Sequence, residues 1–248
     1  MSFDLLNYIW IAVAVITFLG LVLFKIKAPY GRHSSHQWGP MISNKWGWFI
    51  MELPALVLMP LIALLGSSEK NEVSYFLIAL WVFHYANRTL IFPFKLKTEN
   101  KKMPLVIVGS AVLFNGVNGF LNGYILGYMQ PKLLDPTSIH VLLGGLIFFT
   151  GMAINRWADR SLIALREKQL GYQIPKGGLF EYISCPNHFG EIVEWIGFAI
   201  IAWNIPAMTF AIWTFCNLSP RSLNHHEWYR DKFTGYPTKR KAVLPYIL

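Results

Sequence analysis

The chain has 248 residues, of which 54% are hydrophobic and only 14% are charged, whereas soluble domains carry about 25% charged residues. This composition, with a mean hydropathy of +0.39, excludes an ordinary soluble domain and indicates a polytopic membrane protein. The net charge of +9 would suit a nucleic-acid partner, but its distribution along the chain argues against one.

Seven apolar segments have lengths close to the roughly 20 helical residues that cross a bilayer. They cover residues 5–24, 46–65, 73–94, 103–126, 138–155, 180–202 and 206–218. We therefore predict an all-α, seven-transmembrane-helix bundle, and we treat residues 1–248 as a single membrane-embedded domain. The first span lacks a basic leader and a small-residue cleavage site, so we expect no cleaved signal peptide.

Basic residues are concentrated in alternate connections between these spans. Groups of them follow spans one, three, five and seven, whereas the other connections hold only Lys70 and Lys132. Positively charged loops stay in the cytoplasm. The pattern predicts an external N-terminus and a cytoplasmic C-terminus, and it explains most of the net charge without a nucleic-acid partner.

Glu52 lies inside the second span, where an isolated carboxylate costs several kcal/mol. It is about 9 Å from the cytoplasmic end of that span, and Tyr85 is about 13 Å from the same side in the third span. A short loop joins the two spans, so we expect them to be neighbours. A tyrosine hydroxyl beside a carboxyl can act as a proton donor to a carbonyl oxygen. A polar pair that holds two helices together is the alternative.

Two further spans carry polar stripes. In the sixth span, Asn187, Glu191 and Glu194 share one helix face, which predicts either a polar cavity or buried polar packing. In the fourth span, asparagines at 115, 118 and 122 accompany glycines at 119, 123 and 127. The glycine spacing favours close helix packing over a ligand site.

The cytoplasmic segments are basic and aromatic. Residues 156–176 have an amphipathic helical pattern, typical of an interfacial helix that lies on lipid. In the C-terminal tail, His225 and His226 have no third ligand at a convincing spacing, so we expect no metal site. Cys185 and Cys216 match no zinc or redox motif. A basic, hydrogen-bonding rim suits a nucleotide with phosphates, although the chain has no dinucleotide fingerprint or P-loop.

Several motifs, in order along nearly the whole chain, resemble the steroid 5α-reductase family. They are MELP at 51–54, HYANRT at 84–89, GMAIN at 151–155, IPKGGLFEY at 174–182, NHFGEIVEWIG at 187–197 and GYPTKRKA at 235–242. The resemblance implies a seven-helix membrane enzyme that reduces the Δ4 double bond of 3-oxo steroids with NADPH. The compact chain is similar to bacterial members, which implies a location in the inner membrane.

The resemblance also implies roles for individual residues. Glu52 and Tyr85 would be catalytic, binding and polarising the steroid 3-carbonyl. Trp48, Met51, Asn118 and Glu191 would lie near the steroid. The cofactor-binding residues would be Arg32, Arg88, Asn155, Asp159, Arg166, Tyr172, Asn187, Arg221, His225 and Tyr229. We expect a monomer whose partners are membrane lipid and a small lipophilic substrate.

The chain departs from the family pattern at three positions. Met51 stands where glutamine is common, Gln173 where a basic residue is common, and Phe92 where tyrosine is familiar. Three alternative functions stay open: reduction of another conjugated carbonyl lipid such as an enoyl thioester or a polyprenyl intermediate, methyl transfer of the isoprenylcysteine type, and non-enzymatic sterol binding.

Overall fold

The computed structural model of the protein describes residues 2–27, 29, 31, 34, 36–96, 101–129, 135–168 and 171–248. In this part of the chain the α-helices are α1 (Phe3–Leu23), α2 (Asn44–Leu65), α3 (Glu72–Ala86), α4 (Phe92–Lys95), α5 (Leu105–Tyr124), α6 (Ile139–Lys168), α7 (Pro186–Ala202) and α8 (Ile205–Lys232). A π-helical turn, Asn87–Ile91, joins α3 to α4, and another, Ile125–Met129, extends α5. The predicted all-α fold is confirmed, with a long helical segment at each predicted span.

Four helical segments of the described chain are long and apolar enough to cross a membrane. They are Phe3–Leu23, Asn44–Leu65, Leu105–Met129 and Ile139–Glu167. Large hydrophobic side chains on these helices are exposed, including Ile16 at 68% and Leu146 at 65%. Because lipid rather than water is the solvent that such surfaces favour, the chain is a membrane protein.

The chain divides into two compact units. The first unit comprises Met1–Lys27, Leu143–Ile200 and Met208–Leu248, and the second comprises Ala28–Leu142 and Ile201–Ala207. The prediction of a single domain stays a prediction, and each unit is described by itself below.

In the second unit, α2 and α5 lie in close contact and run in the same direction. A Cβ at Gly119 would lie 3.4 Å from the Leu58 Cβ, and one at Gly123 would lie 2.8 Å from the Met59 carbonyl oxygen. The predicted packing role of the glycines is therefore confirmed. Just before these helices, β1 (Met41–Ser43) and β2 (Lys102–Pro104) pair as an antiparallel ribbon, with Ile42 opposite Met103.

The third span packs against the second, as predicted. The Trp81 indole N–H on α3 donates a hydrogen bond to the Ala55 carbonyl oxygen on α2 at 2.8 Å, and Trp81 is fully buried. Helix α2 continues through Pro54 and Pro60, which membrane helices tolerate when neighbouring groups satisfy the freed backbone.

In the first unit, α6 and α7 approach through glycines on both helices. A Cβ at Gly190 would lie 2.6 Å from the Gly151 carbonyl oxygen, and one at Gly197 would lie 2.7 Å from that of Gly144. Helix α8 also holds α1, since the Trp213 indole donates to the Trp10 carbonyl oxygen at 2.9 Å. Backbone contact between α6 and α7 brings their polar stripes together.

The helix ends outside the apolar segments differ from the prediction. Residues 156–168 form no separate interfacial helix but continue α6 without a break, because residues 152–168 contain neither glycine nor proline to end it. Helix α7 begins at Pro186, a favoured first position, rather than at 180. Helix α8 extends to Lys232, well past the predicted 218.

Candidate functional site

In the second unit, Asn115 contacts both residues of the predicted catalytic pair. Its amide Nδ2 donates to Glu52 Oε2 at 3.2 Å and to the Met51 carbonyl oxygen at 2.6 Å. Its Oδ1 accepts from the Tyr85 hydroxyl at 3.5 Å. Asn115 and Tyr85 are each 4% exposed, and Glu52 is half-buried. The carboxyl, carboxamide and phenol therefore form one polar cluster among α2, α3 and α5.

Arg88 occupies the π-helical turn that follows Tyr85. Its guanidinium lies over the ring of Phe92 at 4.5 Å and over that of Trp48 at 5.0 Å. Aromatic faces attract cations, so these rings hold the half-buried guanidinium in place. Phe92 stands where the family commonly has tyrosine, and its ring offers the Arg88 guanidinium the same kind of aromatic face.

Met51 and Asn118, both predicted to lie near the substrate, are buried. The Met51 side chain packs in an apolar cluster with Met103 and Val108, while its main-chain oxygen belongs to the polar cluster. Asn118 is 1% exposed, and its Nδ2 donates to the Phe114 carbonyl oxygen within α5.

In the first unit, α6 and α7 form a second polar cluster. Asn155 donates through Nδ2 to the Asn187 carbonyl oxygen at 2.9 Å and to Glu191 Oε2 at 3.5 Å. Asn187 in turn donates to Asp159 Oδ1 at 3.2 Å. Asn155 and Asp159 are buried. The structure thus brings together four residues that the sequence assigns to cofactor or substrate.

An aromatic and basic group lies at the ends of α6 and α8 in the same unit. The Arg166 guanidinium is 5.6 Å from the Tyr172 ring centre, and the Tyr172 ring packs edge-on against Trp228 at 5.0 Å. Trp228 also meets Tyr229 at 5.3 Å. Such a group has the chemistry to bind phosphate through the cation and a base through an aromatic face.

Two more predicted residues lie one turn apart on α8. Arg221 is half-buried, and the His225 ring is 5.8 Å from that of His188 on α7. His188 Nδ1 lies 2.8 Å from Ser222 Oγ. The remaining predicted cofactor residue, Arg32, lies outside the described residues.

A third cluster in the first unit centres on Ser184. Its Oγ is 2.6 Å from the Tyr236 hydroxyl and 2.7 Å from His226 Nδ1, and it donates to the Lys241 carbonyl oxygen at 3.0 Å. Burial lowers the pKa of His226, and the charge of Arg230 lowers it further. Burial also raises the pKa of Tyr236, so its hydroxyl keeps its proton at neutral pH.

Sequence reasoning did not single out Asn115, Ser184 or Tyr236 as site residues. Asn115 was visible as one of three polar residues on α5, but the glycines beside it pointed to packing. Tyr236 lies in the GYPTKRKA motif, but the sequence does not show that it meets Ser184, because the contacts of Ser184 reach residues 42 to 57 positions away.

Comparison with known proteins identifies the class. The family model for 3-oxo-5-alpha-steroid 4-dehydrogenase matches residues 101–248. The steroid 5-alpha-reductase DET2 of Solanum lycopersicum is 38% identical over 250 residues, covering 98% of this chain and 97% of that protein. The 3-oxo-5-alpha-steroid 4-dehydrogenase 1 of Bos taurus is 38% identical over 255 residues, covering 99% and 96%. The human protein of the same name is 38% identical over 226 residues, covering 88% and 85%.

The chain belongs to the 3-oxo-5-alpha-steroid 4-dehydrogenase family. It is an oxidoreductase of the type that acts on CH–CH bonds. This membership confirms the predicted resemblance and favours the reductase over the methyltransferase and the sterol-binding alternatives.

Proposed function

We propose that the protein reduces the Δ4 double bond of 3-oxo-Δ4 steroids with NADPH and gives 5α-dihydro products. The observation that carries this proposal is the cluster of Glu52, Asn115 and Tyr85, in which a hydroxyl donor and a carboxyl contact the same carboxamide in a membrane protein of this family. A lipophilic ketone is the substrate type that such a donor serves.

The Tyr85 hydroxyl has the chemistry to donate a hydrogen bond to the steroid 3-carbonyl oxygen. Negative charge grows on that oxygen as C5 is reduced, so a donor aimed at it lowers the barrier. Glu52 is linked to this donor because both residues contact Asn115. NADPH, when bound by the residues named below, would supply the hydride for C5, and solvent would supply the proton for C4. Trp48, Met51, Asn118 and Glu191 are the proposed steroid-side residues.

The donor set of the first unit fits NADPH. Asn155 and Asp159 offer a buried amide and a buried carboxylate, and Asn187 offers a half-buried amide. These groups match the carboxamide and ribose hydroxyls of a dinucleotide. Arg166 and Arg221 supply the cations that phosphates require, and Tyr172 offers an aromatic face. We assign these residues to the cofactor, together with Arg32, Arg88, His225 and Tyr229.

The proposed setting is a bacterial inner membrane, which the protein crosses several times as a monomer. The basic residues that follow alternate spans support an external N-terminus and a cytoplasmic C-terminus. This orientation exposes the basic ends of α6 and α8 to the compartment that contains NADPH.

The test is product analysis with purified protein in lipid nanodiscs. A Δ4-3-oxo steroid and NADPH should give the 5α-dihydro product, with one NADPH oxidised for each double bond reduced. Parallel reactions with an enoyl thioester and a polyprenyl enal would reveal the reductase alternative, and S-adenosylmethionine binding would reveal the methyltransferase. NADPH oxidation with only a non-steroid acceptor would refute the steroid assignment.

A further inference from the structure

The orientation of the Asn115 carboxamide is fixed by its neighbours. The atom 2.6 Å from the Met51 carbonyl oxygen must be the amide nitrogen, because a main-chain carbonyl only accepts hydrogen bonds. The Asn115 oxygen consequently faces Tyr85. Rotating the amide by half a turn would set two oxygens against each other, so the side chain has one favoured orientation.

The orientation of the Asn115 carboxamide determines which of its neighbours, Glu52 or Tyr85, donates a hydrogen bond to it and which accepts one. The carboxamide oxygen only accepts, so the Tyr85 hydroxyl must be the donor in their contact. The amide nitrogen only donates, so Glu52 Oε2 must accept from it. Asn115 therefore distinguishes the two members of the pair, with Tyr85 as the donor and Glu52 as the acceptor.

The distances indicate how firmly each contact is held. The bond to Met51 is short, whereas the one from Tyr85 is 3.5 Å, at the outer limit of hydrogen bonding. The Asn115 side chain is thus anchored on α2 by the short bond, and its contact with Tyr85 is the longer of the two.

We propose that Asn115 is a positioning residue: held by the Met51 carbonyl oxygen, it fixes the places of Glu52 and Tyr85 relative to each other and to the substrate carbonyl. The proposal rests on the proposed function, and it deepens it by assigning the donor and acceptor roles. Asn115 acts through the pair and contacts no reacting atom.

A purely structural role is the competing explanation, since Asn115 also links α5 to α2. Asn122 provides a matched control. It lies two turns further along the same helix, is 2% exposed, and donates through Nδ2 to the Asn118 carbonyl oxygen within α5. Replacing either asparagine by leucine removes one buried carboxamide, but only Asn115→Leu removes contacts with Glu52 and Tyr85.

The experiment measures single-turnover NADPH oxidation with a Δ4-3-oxo steroid in full-length protein, alongside NADPH affinity. Asn115→Leu should slow hydride transfer by up to about 100-fold, the effect of a misplaced catalytic group, with NADPH affinity changed less than about twofold. Asn122→Leu should keep most of the wild-type rate.

Asn115→Asp keeps the shape of the side chain and adds a pH-dependent readout. Two carboxyl groups that share one site do not both ionise readily. The introduced carboxyl, when protonated, can donate as the carboxamide does, so this variant should recover activity relative to wild type as the pH falls. The wild type and the Asn115→Asp variant both contain Arg88 and His84, whose ring lies 5.0 Å from that of Tyr85. The ratio of the variant rate to the wild-type rate therefore isolates the contribution of position 115.

The possible outcomes distinguish the positioning role of Asn115 from the proposed reduction of Δ4-3-oxo steroids. An active wild type in which Asn115→Leu behaves like Asn122→Leu, or in which the rate ratio for Asn115→Asp is independent of pH, would overturn the positioning role alone. A wild type that reduces no Δ4-3-oxo steroid would overturn the proposed function and this inference with it.

Discussion

The ring of Tyr236 lies flat against the ring of Tyr229, with centroids 5.4 Å apart and planes 6° apart. Tyr229 is a proposed cofactor residue on α8, and the Tyr236 hydroxyl is fixed by Ser184 at 2.6 Å. The contact connects the segment before α7, the C-terminal tail and the end of α8. Ser184 and Tyr236 therefore help to hold Tyr229, a residue of the proposed NADPH site, in place.

Removing the Tyr236 hydroxyl should loosen this support. We expect Tyr236→Phe to lower the free energy of unfolding by about 1 kcal/mol, the usual contribution of one hydrogen bond, and to weaken NADPH binding modestly. Thermal unfolding and cofactor titration measure the two effects. Tyr246→Phe is the control, because Tyr246 is 78% exposed. Equal behaviour of the two variants would contradict the prediction.

His226 should make stability depend on pH. Its pKa is lowered in the folded protein, so the neutral ring is favoured there and protonation favours the unfolded chain. The contribution of His226 to stability is fully present above about pH 6.5, the pKa of histidine in an unfolded chain. It is lost as the pH falls towards the lower pKa that His226 has in the folded protein. Thermal unfolding of wild type and His226→Gln should differ most at pH 8 and progressively less below about pH 6.5. A difference that is constant with pH would refute this role.

Tyr85→Phe should remove the proposed donor while it keeps the ring. We expect hydride transfer to a Δ4-3-oxo steroid to slow by roughly 10²–10⁴, the range for general acid catalysis, with NADPH affinity nearly intact. Glu52→Gln should act similarly. Because the two residues form one unit, their effects should not add fully in the double variant. Single-turnover NADPH oxidation is the measurement, and near-normal transfer in Tyr85→Phe would leave the pair as a contact between helices.

Arg166 and Arg221 should contribute to NADPH affinity. Arg→Ala at either position should weaken binding by about 1.5–3 kcal/mol, the value of one charge-assisted hydrogen bond. Arg160→Ala is a suitable control, since Arg160 is an exposed arginine on the same helix as Arg166. Fluorescence titration with NADPH measures all three variants, and affinities unchanged from wild type at both positions would remove the assignment.

The orientation in the membrane can be tested with reporters. A cytoplasmic reporter fused after Leu248 should be active, and one that functions only after export should be inactive, because basic residues follow alternate spans. Fusing the same reporters within the connection that contains Lys70 should give the reverse pattern. An active exported reporter at the C-terminus would overturn the predicted orientation.

The sequence was most informative where a property is local. Span length and apolar composition located every long helical segment, and the short loop between α2 and α3 placed Glu52 near Tyr85. Helix ends were predicted poorly, because the basic continuation of α6 to Lys168 is helical without being apolar. A pattern based on hydropathy alone cannot separate such a continuation from a new element.

The Asn115 contacts were beyond sequence reasoning for a different reason. They depend on how far α5 is displaced along α2, and that displacement is set by contacts between segments that are far apart in the chain. Met51 illustrates the same limit. The packing of its side chain with Met103 and Val108 and the contact of its main-chain oxygen with Asn115 depend on how α2 and α5 meet, while its substrate contact stays a prediction.

The glycines of α5 have a consequence for how the two helices are aligned. Since Gly119, Gly123 and Gly127 recur every four residues, sliding α5 by one repeat, about 6 Å, would again place glycines against α2. Such a slide would carry Asn115 away from Glu52. The ribbon of β1 and β2 resists it, because each strand leads directly into one of the helices and their pairing joins Ile42 to Met103. Three residue pairs outside the helices thus select one alignment among near-equivalent ones. The geometry of the polar cluster is therefore decided roughly three helical turns away from it.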